Sequence, residues 1–213
     1  MLRPLAGVAL LGALGFVLAT TAAIAQPARP AAPHSSKDPA AAAPGAYKLD
    51  TAHTSVIARV PHMNAFSYST FRFGTTTGTM TWDPAKIENS KLDVTVDTGS
   101  IKTPVPKFEE ELAGDKYLNA AKFPTAHFVS TSIKRTGPTT GDIMGMMTFM
   151  GQTKPMTIKA EMVGAGNSMR GTPVVGFTGI ARMKRSDFGF TAMIPIIGDD
   201  IDLVIDTEFD KAG

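Results

Sequence analysis

The sequence predicts an all-β protein: an eight-stranded antiparallel up-and-down β-barrel with a short helical segment between the third and fourth strands. The first observation behind this is an apolar period of two. Leu92, Val94 and Val96 alternate with Asp93, Thr95 and Asp97, and Met156, Ile158, Ala160 and Met162 alternate with Thr157, Lys159 and Glu161. Near the end, Ile201, Leu203 and Ile205 alternate with Asp202, Val204 and Asp206. Strands with one dry and one wet face belong to antiparallel sheets. The second observation is repetition: about eight such runs cover residues 47–60, 69–82, 91–102, 125–135, 142–150, 155–163, 174–184 and 200–209. Asp83-Pro84, Gly137-Pro138, Gly151-Gln152, Gly164-Ala165-Gly166-Asn167 and Gly198-Asp199 separate most of them, each with proline or a residue tolerant of positive φ. Sequential antiparallel strands of this number close into a barrel without a free edge, and a two-sheet sandwich is the alternative.

The connection over residues 104–119 is too long for a tight hairpin. Phe108 and Leu112, four apart, join Tyr117 and Leu118 on the apolar side of a predicted short helix, with Glu109, Glu110 and Glu111 facing water.

At the N-terminus, Arg3 precedes an apolar run over residues 5–19 that ends in Ala23-Ile24-Ala25. This pattern predicts a cleaved secretory signal peptide over residues 1–25, and hence a periplasmic protein. The run is shorter than the ~20 residues of a spanning helix. Residues 26–46 hold no aliphatic side chain larger than alanine and are expected to be a disordered Ala/Pro-rich leader. Residues 47–213 suit one domain.

The chain has no cysteine, which excludes disulfides, thiolate metal sites and lipoprotein acylation. Setting aside Arg3, Arg29, Lys37 and Asp38, basic and acidic residues are equal in number, so the formal charge of +2 belongs to the leader and nucleic-acid binding loses its electrostatic support.

Catalytic chemistry finds little footing. His53, His62 and His127 are the imidazoles of the domain, and none lies in a nucleophile motif. On a straight strand His53 and His62 stand roughly 30 Å apart, too far for one site. Arg185-Ser186-Asp187-Phe188-Gly189 contains the Asp-Phe-Gly of kinases without their other motifs, so a charged pair at a strand end and a glycine turn are expected there. Met144-x-Met146-Met147-x-x-Met150 offers soft thioethers suited to Cu(I), but alternation splits it between two faces, and methionine also lines adaptable apolar pockets.

Three late runs, residues 147–158, 176–189 and 198–206, follow Tyr47-x-Leu49-Asp50-x-x-His53, His62, Phe73, Gly78, Leu112-x-Gly114, Tyr117-Leu118-Asn119-Ala120-Ala121-Lys122-Phe123-Pro124 and Phe128-x-Ser130-Thr131-Ser132. In this order they resemble the YceI-like family of lipocalin-like barrels, which bind polyisoprenoids or other long apolar chains. The resemblance implies a periplasmic, non-enzymatic protein that binds, transports or sequesters a polyisoprenoid, isoprenoid quinone or long-chain lipid amide. The bound isoprenoid or lipid is the one expected ligand, with no other cofactor. Candidate wall positions are Val56, Ala58, Phe73, Val94, Phe128, Phe149, Phe177 and Met183, with Phe108, Leu112 and Tyr117 closing one mouth. Many relatives carry glycine at the position of Phe71, and an Arg-Asp pair and histidine where this chain has Phe108-Glu109 and Glu111. Without those basic groups, a neutral ligand stands beside a prenyl phosphate. Expected partners are the long-chain small molecule, a membrane redox or lipid-handling protein, and a second copy in a homodimer. A Met-rich periplasmic copper-binding protein and an accessory enzyme acting on a lipid or quinone are the alternatives.

Overall fold

The computed structural model describes residues 34–213, Asn64 excepted. Its strands are β1 (His34–Ser36), β2 (Gly45–Leu49), β3 (Ser55–His62), β4 (Ser67–Phe73), β5 (Thr76–Trp82), β6 (Lys91–Asp97) and β7 (Ile101–Lys102). After the helix α1 (Pro106–Ala113) come β8 (Thr125–Arg135), β9 (Thr140–Phe149), β10 (Gln152–Asn167), β11 (Pro173–Lys184) and β12 (Asp200–Lys211). All pairings are antiparallel, and the circuit β2-β5-β6-β8-β9-β10-β11-β12 returns to β2, closing an eight-stranded barrel. β3, β4 and β7 carry the first three walls onward, with β3 also paired to β12.

Each of those three walls, expected as one strand, is broken in the middle, and the cause is a change of parity. Tyr47 and Leu49 are buried in β2, but Val56, Ala58 and Val60 in β3. An uninterrupted strand would turn one of these sets to solvent, because side chains alternate strictly. A 3₁₀ turn at Thr51–His53 absorbs the odd residue, with Asp50 Oδ1 accepting from the Ala52 amide at 2.8 Å. A second turn, Thr98–Ser100, separates β6 from β7, and Asp97 Oδ1 accepts from the Gly99 amide at 2.8 Å. The breaks lie side by side: the amides of Gly74 and Asp97 donate to the carbonyls of Ser100 and Thr75 at 2.9 and 3.0 Å, and Thr51 Oγ1 donates to the Thr76 carbonyl at 3.0 Å. Together they form a belt across the first three walls of the barrel.

The long connection is helical over α1 alone. Leu112 is buried, whereas Tyr117 and Leu118 lie beyond the helix end. Glu109 does not face water as expected. It accepts from the Thr103 amide and from Lys102 Nζ, both at 2.9 Å, and these two donors hold its carboxyl below the ordinary range.

The signal-peptide region, residues 1–25, lies outside the described residues. The leader departs from expectation from His34 onward. β1 pairs with the end of β10, matching Ser35 to Gly166, and Ala42 is 0% exposed inside an apolar cluster with Tyr47, Trp82, Met162 and Val175. Gly164-Ala165-Gly166, expected as a turn, is therefore strand: a Cβ on Gly166 would overlap the His34 carbonyl, so glycine is what admits the added strand. Tyr47 Oη donates to the Ala43 carbonyl at 2.5 Å, Lys37 Nζ to that of Met162 at 3.1 Å, and Lys211 Nζ to that of Pro44. A chain beginning at Pro44 should lose about 2–3 kcal/mol of stability in denaturant unfolding, since several hydrogen bonds worth ~1 kcal/mol each and part of an apolar cluster go with the deleted residues.

Between β11 and β12, Arg185 is 2% exposed and does not form the expected surface ion pair. Its Nε donates to the Gly198 carbonyl at 2.8 Å, Nη1 to Ala192 at 2.7 Å and Phe190 at 3.3 Å, and Nη2 to Ile197 at 2.8 Å. Burial pushes its guanidinium below the ordinary arginine range, against the upward pull of Asp199. Gly189, at φ +79°, supplies the left-handed turn that starts this loop.

Candidate ligand-binding cavity

Inward residues of the strands do not fill the barrel. Two chambers of about 150 and 110 Å³ remain, and they share five wall residues: Val56, Val96, Ala126, Met147 and Leu203. Val56 follows the first break of the belt and Val96 precedes another, so the chambers meet where the strands change parity. The first alone is on the scale of a cavity that holds a benzene ring, about 150 Å³. Joined end to end, the two accept a chain rather than a compact molecule.

Of the candidate wall and mouth residues, Val94, Phe128 and Phe177 line the first chamber, Ala58, Phe73, Phe149, Met183 and Leu112 the second, and Val56 both. Phe108 and Tyr117 stand outside the walls. Phe108 packs on Phe71 with ring centroids 6.3 Å apart, and Tyr117 lies edge-on to Phe190 at 6.5 Å. The helical connection thus closes the second chamber through Leu112 and Leu118, backed by these aromatics. Phe71 and Phe108 fill one another's space.

Alternation divides the methionines as expected: Met147 faces inward with Phe149, while Met146 is exposed. The pocket methionines are Met80, Met147, Met156 and Met162 in the first chamber and Met147 and Met183 in the second, not Met144 and Met146. Trp82, the single tryptophan, joins them in the first chamber, edge-on to Phe177 at 5.7 Å.

Among the described residues, Asp50, His53 and Glu208 bring three metal-capable donor atoms within 4.8 Å of one another. Asp50 is already engaged in the turn, with Oδ2 2.6 Å from His53 Nδ1, and this hydrogen bond and charge raise the His53 pKa. His127 Nε2 lies 2.8 Å from Asp93 Oδ1 on the outer face. Neither histidine adjoins the chambers.

The YceI-like domain model matches residues 47–209. The chain belongs to the YceI-like family. A UPF0312 protein of Vibrio vulnificus (strain YJ016) is 37% identical over 162 residues, which cover 75% of this chain and 83% of the relative. Among solved structures, BcnA of Burkholderia cenocepacia superposes with a TM-score of 0.68 at 22% identity, over 75% of this chain and 98% of BcnA. A polyisoprenoid binding domain from Saccharophagus degradans superposes at 0.58 and 13% identity, over 78% and 98%. These two likenesses concern the fold, an antiparallel barrel with one short helix.

What sequence reasoning missed lies at the open end of the first chamber, where Pro39 from the leader, Ile87, Lys91, and the β8–β9 hairpin with Arg135 and Thr139 form the rim.

Proposed function

We propose that this protein binds a long apolar molecule, such as a polyisoprenoid, an isoprenoid quinone or a long-chain lipid amide, along the barrel axis and carries or sequesters it in the periplasm. The observation that carries the reading is the pair of apolar chambers meeting end to end inside a closed barrel. Burying a methylene is worth about 0.8 kcal/mol, so a chain threading both chambers gains affinity with each carbon enclosed. Support also comes from the polyisoprenoid-binding description of the Saccharophagus degradans domain and from the signal-peptide pattern expected over residues 1–25. The role is non-catalytic, with a membrane lipid-handling or redox protein as the supplier or recipient of the ligand.

Mass spectrometry of an organic extract from gently purified protein tests this directly, together with titration of Trp82 fluorescence by long-chain probes. A co-purifying long-chain lipid and a saturable fluorescence change are expected. An empty extract with no response to any long-chain probe would defeat the reading.

A further inference from the structure

The chambers carry a charge asymmetry that the chain as a whole does not. Among all residues lining either one, the charged side chains are Lys91 and Arg135; no carboxylate joins them, and both belong to the first chamber. Both stand at one end, Lys91 opening β6 and Arg135 ending β8. Among the described residues neither makes a salt bridge, although Lys102, Arg182 and Lys184 are each paired with carboxylates elsewhere on the surface.

Arg135 faces the lumen because of a local irregularity. Phe128 points inward, and alternation from it would turn residue 135 outward. A β-bulge between Ser130 and Ser132 resets the register, so Ile133 pairs with Ile143 and Arg135 with Gly141, all four lining the first chamber. Gly141 opposes Arg135 without a side chain, leaving the guanidinium room above the opening.

We propose that Arg135, with Lys91 farther along the same rim, receives the anionic head group of the ligand, a carboxylate or phosphate on one long apolar chain whose tail runs down the chambers. This rests on the lipid-binding reading above and narrows it: the head is charged and sits at the β8–β9 hairpin, at the far end of the barrel from α1. The guanidinium presents five donors in a planar fork matched to either oxyanion. The exposed rim lets the head keep part of its hydration, which avoids the cost of burying a charge.

Hexadecanoic acid, hexadecyl phosphate and 1-hexadecanol share a chain and differ in the head, so their affinities for the full chain at pH 8 and low salt separate head from tail. Competition against a neutral fluorescent long-chain probe gives the readout. The wild-type protein should bind at least one anion about tenfold more tightly than the alcohol, with the advantage shrinking in 0.5 M salt. Whichever anion gains more, phosphate or carboxylate, names the lipid source. Arg135→Gln should erase most of the advantage of the anion over the alcohol, and Lys91→Gln should remove a smaller part. Equal binding of all three by the wild type, or an advantage that survives both substitutions, would overturn the head-group assignment while leaving the carrier intact. If none of the three binds, the carrier reading falls, and this inference with it.

Discussion

Arg185→Met should destabilise the protein by about 3–5 kcal/mol, the largest single-residue effect expected outside the apolar core. The methionine fills much of the volume but offers no donor, so the carbonyls of Phe190, Ala192, Ile197 and Gly198 lose their common partner. A buried unsatisfied carbonyl costs about 1–3 kcal/mol. The loop will recover part of that by opening to water, which sets the net value below the sum. Arg185→Lys should fall between, since an ammonium has three donors on a single nitrogen and cannot reach a fan of four carbonyls. Urea unfolding gives the energy, and amide exchange over residues 190–198 shows whether the loop loosens first. A loss under 1 kcal/mol for methionine would mean that the loop is held by its other ties, such as the Gly198 amide on the Pro61 carbonyl at 2.8 Å.

Ala126→Phe should separate the chambers. Ala126 borders both, so an aromatic ring there enters existing space rather than compressing neighbours, and stability should change by no more than about 1 kcal/mol. Binding should respond strongly. A chain that loses four enclosed methylenes forfeits ~3 kcal/mol, or about two orders of magnitude in affinity. Probes short enough to stay in the first chamber should bind nearly as before. Isothermal titration with a homologous series of alkyl chains distinguishes the cases, and a uniform loss at every chain length would show that the chambers do not act as one channel.

Period-two alternation made the eight walls and most of the lumen legible, because the same parity that marks a strand also marks its inner face. Val94 followed from that rule, while Val56, Phe128 and Phe177 were expected in the wall on the family resemblance; all four line the first chamber. The broken walls were also written in the chain, in the shift from Tyr47 and Leu49 to Val56, Ala58 and Val60, but a parity change signals a turn only once the inner face is known. Arg135 escaped because a bulge, which no residue type announces, moves it across the sheet. The leader escaped for a different reason: its composition offers little apolar area, yet His34–Ser36 is held by backbone pairing to a glycine-bearing strand, an interaction indifferent to side chains. Likewise the two-residue turn between β9 and β10 is Met150-Gly151, one position before the expected Gly151-Gln152, with both φ angles positive as a tight hairpin requires.

The strand that closes the barrel is the last one made. β12 bridges β11 to both halves of the first wall, joining Phe209 to Leu49 and Asp206 to Ser55. The other wall contacts join neighbours in sequence, by hairpins or, between β6 and β8, by the connection that holds α1, but closure brings together the two extremes of the domain and carries the full loop entropy of the intervening chain. Until residues 200–211 are available, the remaining strands form an open sheet with two unpaired edges and a wetted interior. Refolding is therefore expected to show a late step on the millisecond-to-second scale of non-local β pairing, with the chambers enclosed only at that step.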